Sequence, residues 1–378
     1  MNLEKINYYG DSREVYDSCL PHIEDHNLKS CTFLIKLFVL ALGIFTLLSL
    51  AGLHRSYFPM YFTGCLANLL LVVLIKKTRM SVRVTSYSTM ALLLTFAIAD
   101  SSIDPHHVAT TYLVFAVLVA VLLMDTMLAI SAFYLLMLLV FSLCSYVFKG
   151  QVMWQLDSFN GLIYTIASLA LHYVIQKGRL ASYLLLNKYN ESQRELWVQA
   201  NFDRMSGVMN RSTFMTLLQK AVDQPECGDL FVGLVDIDHF KQINDSYGHR
   251  MGDLAIQELS RSLEKGLRVC YQDKAGFADS FDPSSDNVLA RLGGDEFVFA
   301  MHCASEEACR KQLRALQQEF AKKVISLDGR RLSQLHFSCG VIHYNNNLKN
   351  VDQLYQKADQ LMYMVKKQGG NEVLVAQS

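Results

Sequence analysis

The sequence has no excess charge and no cysteine pattern that would indicate a partner or a cofactor. Its 378 residues carry 35 lysines and arginines against 35 aspartates and glutamates, so the formal net charge is zero. Nucleic-acid-binding domains are usually basic, and we therefore expect no nucleic acid partner. The nine cysteines form no Cys-x-x-Cys pair and no metal-binding spacing. These absences argue against a disulfide framework and indicate a reducing compartment for the soluble part of the chain.

Apolar residues make up 51% of the sequence and are concentrated in its first half. A helix crosses a bilayer with about 20 apolar residues. A soluble helix normally carries a polar stripe, which residues 113–124 and 135–143 lack, so we prefer membrane spans to buried helices of a soluble protein. We expect residues 1–30 to be a cytoplasmic tail, too acidic for a signal peptide. About six spans are predicted near 31–53, 57–75, 85–103, 108–124, 127–148 and 158–176.

Basic residues in the connections predict the orientation of this transmembrane region, residues 31–176. Those on one side are Lys76, Lys77, Arg79, Arg83, Lys177 and Arg179. Those on the other side are Arg55 and Lys149. Because cytoplasmic loops carry the excess of lysine and arginine, both termini are predicted to be cytoplasmic.

The external loop between the third and fourth spans concentrates ionisable residues, namely Asp100, Asp104, His106 and His107. Histidine titrates near neutral pH and binds metals, so this loop could form a proton or metal sensor. An ordinary solvated loop would have the same composition. The sequence leaves both interpretations open.

Residues 177–202 are polar, favour a helix and contain no proline. A seam at alternating spacings of three and four comprises Tyr183, Leu186, Asn190, Gln193, Trp197 and Ala200. Its polar members predict weak coiled-coil pairing. Weak pairing suits a helix that carries a signal, because its two registers would differ little in energy. A plain helical linker is the alternative interpretation.

Residues 203–378 alternate between predicted strands and helices. A polar loop over 203–211 precedes a helix over 212–222, for which Ser212 is the expected cap. The order predicts an α/β sandwich of ferredoxin-like or palm type. The further predicted elements are a buried strand at 230–235, an amphipathic helix to 267, a polar loop at 270–287, a hairpin at 288–299, a helix at 305–325, a strand at 335–344, a helix at 351–368 and a strand at 372–376.

The hairpin contains the stretch Arg291-Leu-Gly-Gly-Asp-Glu-Phe297. Two apolar runs joined by a Gly-Gly pair are typical of a β-hairpin, and glycine lets a bulky anion approach the backbone closely. Asp295 and Glu296 follow the two glycines. Adjacent carboxylates repel each other unless a cation lies between them, so a divalent metal is the expected guest. A hairpin with a solvated acidic tip is the alternative.

A second acidic stretch, Asp236-Ile-Asp238, ends the buried strand. Active sites of open α/β sheets gather where strands end. Asp236 beside Asp295 and Glu296 would make a site for two metals, which can bind a triphosphate and activate an attacking hydroxyl.

Four further side chains suit a nucleotide. Lys241 and Lys366 are placed to meet phosphate oxygens as point charges. Asn244 and Asp253 bracket a helix start. A carboxylate there would accept the ring N–H and amino group of guanine, a pattern that adenine does not offer.

The stretches Asp236–Asp253 and Arg291–Phe297 resemble the two signatures of GGDEF-domain diguanylate cyclases. Residues 203–211 are similar to the opening motif of that family, and its closing motif is represented by Ala358-Asp359, Tyr363, Lys366 and Gly369. The resemblance covers the whole soluble half. It implies a palm-type nucleotidyl cyclase fold and a homodimer, formed through the linker helix and the cyclase domain. Two GTP-loaded domains would join two GTP into cyclic di-GMP and release pyrophosphate, on the cytoplasmic face of a bacterial inner membrane.

The resemblance also implies a role for each matched residue. The implied catalytic residues are Asp295, Glu296 and Lys366. The implied ligands of two Mg²⁺ ions per site, with Mn²⁺ as an alternative, are Asp236, the carbonyl of Ile237, Asp295 and Glu296. The implied GTP-binding residues are Lys241, Asn244, Asp253, Gly293 and Gly294.

The chain departs from the family pattern in two places. The closing motif usually reads Gly-Arg-Asn, whereas Gly369-Gly370-Asn371 lacks the arginine. The product-inhibition motif Arg-x-x-Asp is absent, since the corresponding region reads Pro283-Ser-Ser-Asp-Asn287. A receptor with a decayed cyclase domain is therefore the main alternative to an enzyme. A cyclase of mixed base specificity is a third interpretation, against which Asp253 argues.

Overall fold

The computed structural model describes residues 3–53, 55–78, 80–223, 229–344 and 350–377. They form two folded units, which divide between Tyr189 and Asn190. The first unit is helical. Its helices are α1 (Leu3–Asn7), α2 (Arg13–Ser18), α3 (Leu20–Leu50), α4 (Phe58–Thr78), α5 (Val82–Ile103), α6 (Thr110–Leu122), α7 (Met127–Lys149) and α8 (Gln151–Asn201), with a 3₁₀ turn at Arg55–Tyr57.

Five helices of this unit are long and apolar enough to cross a membrane: α3, α4 with the turn before it, α5, α7 and α8. A further apolar helix, α6, has only 13 residues. At about 1.5 Å per residue it rises by about 20 Å, whereas a bilayer core is about 30 Å thick. The predicted span at 108–124 is therefore too long, because the helix stops at Leu122 and residues 123–126 are not helical. Apolar composition alone does not reveal where a helix breaks.

The tail predicted for residues 1–30 is folded. Tyr9, Tyr16 and Cys19 are buried in a small core with Met124 and Leu180. Helix α3 begins at Leu20 and contains most of the first predicted span, and the sixth predicted span and the linker belong to one helix, α8. Tertiary packing orders this polar segment, and hydropathy does not detect such packing.

The charged groups of the first unit refine the predicted orientation. Lys149 is not a free loop charge, because its Nζ lies 3.1 Å from Asp157 and both side chains are buried. Lys76 and Lys77 are exposed at the end of α4, and Arg79 lies outside the described residues. Both termini being cytoplasmic stays a prediction.

The loop between α5 and α6, predicted to be external, contains an ion pair that bears on the sensor hypothesis. Asp104 Oδ2 lies 2.7 Å from His107 Nδ1, and both side chains are exposed. Such a pair fits either a sensor or a solvated loop, so the sensor also stays a prediction.

The second unit combines strands with helices. Its elements are β1 (Met209–Asn210), α9 (Arg211–Val222), β2 (Leu230–Ile237), α10 (Phe240–Tyr247), α11 (His249–Leu267), α12 (Phe277–Ser280), β3 (Val288–Gly293), β4 (Glu296–His302), α13 (Glu306–Ala321), β5 (Ile325–Leu327), β6 (Arg330–Leu332), β7 (Phe337–His343), α14 (Val351–Lys367) and β8 (Val373–Gln377).

Six strands form one sheet in the order β1-β3-β4-β2-β7-β8. The pairs β3–β4, β4–β2 and β2–β7 are antiparallel, and β8 is parallel to β7. Strand, helix, hairpin, helix and strand in this order give the ferredoxin-like arrangement, so the predicted fold class of this unit is confirmed. Every residue of β2 is buried, as its apolar run predicts. Gly233 leaves room for the ring of Phe299 on the neighbouring strand.

Two local predictions are wrong. Asn210, not Ser212, caps α9, because its side chain accepts the N–H of Thr213 at 3.0 Å. The helix predicted to reach residue 325 ends at Ala321, and β5 and β6 form a separate hairpin. Its turn is Asp328-Gly329, with φ of 50° and 78°. An Asp-Gly pair is a strong signal for such a turn, and the helical prediction overlooked it.

Candidate active site

The Gly-Gly hairpin has an open turn. Gly293 on β3 is paired with Glu296 on β4, and the register shifts between Arg291 and Gly293. Gly294 has a φ of 53°, a conformation that favours glycine. A Cβ atom at either glycine would meet no other atom within 4 Å. The turn therefore leaves its backbone accessible to a large ligand, as the sequence predicts.

Asp236 lies at the end of β2, directly opposite Glu296 in the antiparallel register. Directly opposed residues share one face of a sheet, so the two carboxylates belong to the same surface. Asp236 is only 5% exposed. The Nζ atom of Lys366, in the last turn of α14, lies 2.5 Å from Asp236 Oδ1. The structure thus brings together three of the predicted site residues, which are far apart in the sequence.

Asp295 in the turn belongs to the same cluster. Its burial, together with the charge of Asp236, raises the pKa of the Asp295 carboxyl to about 7. Burial also raises the pKa of Glu296, with Asp236 and Asp359 acting in the same direction. Lys366 opposes both shifts. The carboxylates of the site therefore carry more negative charge than Lys366 alone neutralises.

The donor set fits a divalent cation that is shared with a ligand. In the described part of the chain, no group of three or more His, Cys, Asp or Glu side chains is arranged as a complete metal site. Mg²⁺ is usually bound by one or two carboxylates together with water and substrate phosphates, and not by a cage made of protein alone. The excess negative charge of Asp236 and Asp295 suits that arrangement. Ile237, the last residue of β2, is buried beside Asp236.

Three of the predicted GTP-binding residues, Lys241, Asn244 and Asp253, lie on α10 and α11. Asn244 is half-buried, and its Oδ1 atom is buried without a hydrogen-bond partner. Gly252 packs directly against that atom, and any larger residue at 252 would displace it. Asp253, the next residue, is half-buried. An unpartnered buried carbonyl is costly, so Asn244 is poised to accept a donor from a ligand.

Lys241 lies on the same helix as Asn244 and is exposed to solvent. The described residues provide no contact that joins it to Asp236 or to Lys366. The structure therefore brings together the carboxylates and Lys366 but leaves Lys241 apart from them.

Arg291 belongs to the hairpin motif, which predicts no role for it. Its Nε and Nη2 atoms donate to the carbonyl of Gly294 at 2.9 and 2.6 Å. Its Nη1 atom lies 2.9 Å from Asp203 Oδ1, which also accepts the backbone N–H and the hydroxyl of Ser206. Burial raises the pKa of Asp203, but these hydrogen bonds outweigh it and lower the pKa overall. Two sequence signals could have indicated this contact. They are the arginine two residues before the Gly-Gly pair and the Asp-x-x-Ser-Gly pattern at residues 203–207.

Asp238 is the second site residue without a predicted role. Its Oδ1 accepts the hydroxyl of Ser338 at 2.6 Å, and its Oδ2 accepts the backbone N–H of Asn371 at 2.7 Å. It thereby fixes the closing loop Gly369-Gly370-Asn371 beside the end of β2. Gly370 has a φ of 75°, and a Cβ atom there would lie 2.9 Å from Asp238 Oδ1. The loop conformation is thus adapted to glycine at this position.

Comparison with known proteins identifies the second unit. Residues 200–372 match the family model described as diguanylate cyclase, GGDEF domain. The uncharacterized protein YhcK of Bacillus subtilis is 33% identical over 206 residues, which are 53% of this chain and 52% of that protein. The probable diguanylate cyclase DgcC of Escherichia coli is 32% identical over 198 residues, 52% of this chain and 48% of that protein. The chain spans about half the length of these curated relatives.

Solved structures include similar chains as well. The coiled coil and GGDEF domain of DgcB from Caulobacter crescentus, in complex with c-di-GMP, is 22% identical, with a TM-score of 0.45. The match covers 53% of this chain and 99% of that chain. The motifs, the sheet order and the family match agree. Residues 200–372 form a GGDEF domain of the diguanylate cyclase family.

Proposed function

We propose that this chain is a diguanylate cyclase, which condenses two GTP into cyclic di-GMP and releases two pyrophosphates. In this reaction the 3′-hydroxyl of each GTP attacks the α-phosphorus of the other, and the bond to pyrophosphate breaks as the new ester bond forms. The observation that carries the proposal is the cluster at the open hairpin. There Asp236 lies opposite Glu296, and Lys366 lies 2.5 Å from Asp236. The family match agrees with this chemistry.

The carboxylates have a specific task in this proposal. Asp236 and Asp295, with the carbonyl of Ile237, would hold two Mg²⁺ or Mn²⁺ ions beside the phosphates. When bound, these ions neutralise phosphate charge and lower the pKa of an attacking hydroxyl. Glu296 would be a further metal ligand or a proton acceptor. The raised pKa values of Asp295 and Glu296 support this assignment, because nearby cations would relieve their repulsion.

The remaining site residues would position GTP. Lys366 would exchange part of its contact with Asp236 for a phosphate oxygen, and Lys241 would meet the phosphates from the solvent side. The open backbone at Gly293 and Gly294 would let the phosphates pass. For the base, the unpartnered Oδ1 of Asn244 offers an acceptor and Asp253 a carboxylate, which together match the donor edge of guanine.

Each domain supplies one GTP, so the proposed reaction needs two chains. We propose that they pair through residues 177–202 and through the cyclase domains. Leu186, Asn190 and Gln193 of the linker seam are exposed in the single chain, which supports pairing along this helix. The five apolar helices support a location in the bacterial inner membrane, where the lipid bilayer surrounds the first unit and both termini face the cytoplasm.

One observation favours the receptor alternative. Gly370, which stands where the family usually has an arginine, has a backbone conformation that suits glycine. A GTP-binding domain without turnover would then regulate a partner. The complete set of carboxylates favours the enzyme, because a receptor has no need of a charge cluster that repels itself.

Product analysis distinguishes the two functions. The purified full-length chain in lipid nanodiscs is incubated with GTP and Mg²⁺, and the products are identified by mass spectrometry. ATP serves as the control nucleotide, and several chain concentrations are compared. We expect cyclic di-GMP from GTP alone, with a specific rate that rises with chain concentration until dimers are saturated. Tight GTP binding without any product would favour the receptor.

A further inference from the structure

The break between α6 and α7 is supported by side chains from distant helices. A helix leaves its last carbonyls without backbone donors. Here side chains from α3 and from α8 reach these carbonyls. The contacts are His26 Nε2 to Leu122 O at 3.1 Å, Gln176 Nε2 to Leu123 O at 3.2 Å, and Asn27 Nδ2 to Met124 O at 2.7 Å.

Ala120 belongs to this last turn. Its expected helical donor, the N–H of Met124, is bound to Asn27 Oδ1 at 2.9 Å instead. The carbonyl of Ala120 is approached by His172 Nδ1 at 2.7 Å. The other ring nitrogen, Nε2, lies 2.9 Å from the hydroxyl of Tyr9, and that hydroxyl also contacts the carbonyl of Asp125. His172 and Tyr9 are both fully buried.

These contacts form a chain with an acceptor at each end. It has three links, namely Ala120 carbonyl to His172, His172 to Tyr9, and Tyr9 to Asp125 carbonyl. A carbonyl only accepts, so each link needs a proton from His172 or Tyr9. A neutral imidazole brings one proton and a tyrosine one more. Whichever tautomer is present, one link of the neutral chain joins two lone pairs, and only a doubly protonated ring completes all three.

The surroundings of the ring contain charges of both signs. Arg179 lies on the same helix, and the carboxylate of Asp125 is paired with Arg83 at 2.7 Å. Tyr16 and Tyr87 approach Tyr9 from α2 and α5, and Tyr173 packs on its ring. Lys177 on α8 lies beside Gly10. A polar cavity of about 480 Å³ borders Asp125 and Tyr16. Space large enough for water therefore lies beside the Asp125 end of this series of hydrogen bonds.

We propose that the chain Ala120–His172–Tyr9–Asp125 is a proton-binding site and that the bound proton holds the N-terminal segment, residues 3–19, on the helices of the first unit. With the proton bound, Tyr9 links α8 to the break after α6. When the proton leaves, the link that joins two lone pairs breaks and Tyr9 is released. Ionisable residues at membrane depth usually have such functional roles, because burying them is costly. Since His172 belongs to the helix that also contains the linker, the site reports proton availability to α8.

The test measures amide hydrogen exchange of residues 3–19 in the full-length chain in nanodiscs, across about pH 5 to 8, where histidine titrates. Rates are corrected for the chemical dependence of exchange on pH. If the segment is held only while the proton is bound, opening becomes about tenfold easier per pH unit between the pKa of the released histidine and the pH at which protection is lost. We expect this slope in the wild type, no slope in Tyr9→Phe, and the wild-type slope in Tyr16→Phe. The last variant removes a hydroxyl from the same buried cluster but not from the chain.

Selective ¹⁵N labelling of histidine provides a second readout, with the His172 signals assigned by comparison with His172→Gln. We expect both ring nitrogens of His172 to be protonated while the segment is protected, and one to lose its proton at the pH where protection is lost. A neutral ring throughout, with residues 3–19 protected at every pH, would overturn the proposal. The proposal would also be overturned if the exchange rate of residues 3–19 in the wild type did not change with pH. This result can be obtained without any variant.

Discussion

Arg291 and Asp203 are joined by an ion pair of 2.9 Å, which connects the loop after α8 to the turn of the acidic hairpin. The same guanidinium donates twice to the carbonyl of Gly294. Its side chain is only 10% exposed, so water competes weakly for these contacts. The position of Asp295, one residue after Gly294, therefore depends on a contact made far away in the sequence.

Replacing this arginine tests that dependence. Arg291→Lys keeps the charge, but one ammonium group cannot reproduce the fork that meets both Asp203 and Gly294. We expect kcat to fall about tenfold or more and the free energy of unfolding to fall by about 1–3 kcal/mol. Turnover and urea denaturation are measured for Arg291→Lys, Asp203→Asn and the double variant. The two effects should be strongly non-additive. An Arg291→Lys variant with wild-type kcat would refute the positioning role.

Gly252 offers a test of base recognition. Gly252→Ala places a methyl group against Asn244 Oδ1 and displaces the proposed guanine acceptor. We expect the KM for GTP to rise about tenfold, the scale of one lost hydrogen bond to a ligand. Gly266→Ala, on the same helix α11, is the matched control, since its methyl group meets the side chain of Leu316 on α13. If both variants lose similar stability but only Gly252→Ala has a raised KM, the assignment of Asn244 as the guanine acceptor is supported. Equal KM values in the two variants contradict it.

Asp295 predicts a dependence of stability on pH and metal. Its pKa in the folded chain, about 7, lies above the ordinary carboxyl value of 3.8. A raised carboxyl pKa means that stability is fully present below the ordinary value and is lost as the pH rises through 7. Without divalent cations, Asp295→Asn should therefore melt at a higher temperature than the wild type at pH 8, and the difference should vanish below about pH 4.

Two controls accompany the Asp295 measurement. Asp229→Asn, which removes an exposed carboxylate, should not reproduce the gain. Mg²⁺ at pH 8 should raise the melting temperature of the wild type more than that of Asp295→Asn. Equal metal responses would remove Asp295 from the set of ligands.

Control by product is predicted to be weak. The segment 283–287 has no arginine, and Asp282, just before it, accepts hydrogen bonds from Ser284 and Ser285. Serine cannot replace the charged fork that binds phosphate and guanine acceptors. Initial rates at saturating GTP should change little when cyclic di-GMP is added. Strong inhibition at low micromolar product, retained when the 270–287 loop is mutated, would show that another product site exists.

The sequence predicted the elements whose signals are local. The apolar run of β2, the Gly-Gly hairpin and the amphipathic helices are each encoded within about 20 residues, and all three are present. Asp236 and Asp295 could be placed together because strand ends and hairpin tips have defined positions in an α/β sheet.

The remaining features depend on contacts between distant residues. Arg291 pairs with Asp203 across 88 positions, and Tyr9 with His172 across 163. No periodicity encodes such pairs. The N-terminal segment appeared as a polar tail because polar and charged residues outnumber its buried tyrosines. The span at 108–124 was predicted too long because its apolar run continues beyond the end of α6.

The most direct test of the central claim compares the full-length wild type with Asp236→Asn and Asp295→Asn. Each chain is incubated with GTP and Mg²⁺, and cyclic di-GMP and the melting temperature are measured on the same preparations. We predict that both variants lose cyclic di-GMP synthesis and remain folded, because each removes a carboxylate that the phosphate chemistry requires. Near-wild-type synthesis by either variant would contradict the assignment of these two carboxylates as the catalytic centre.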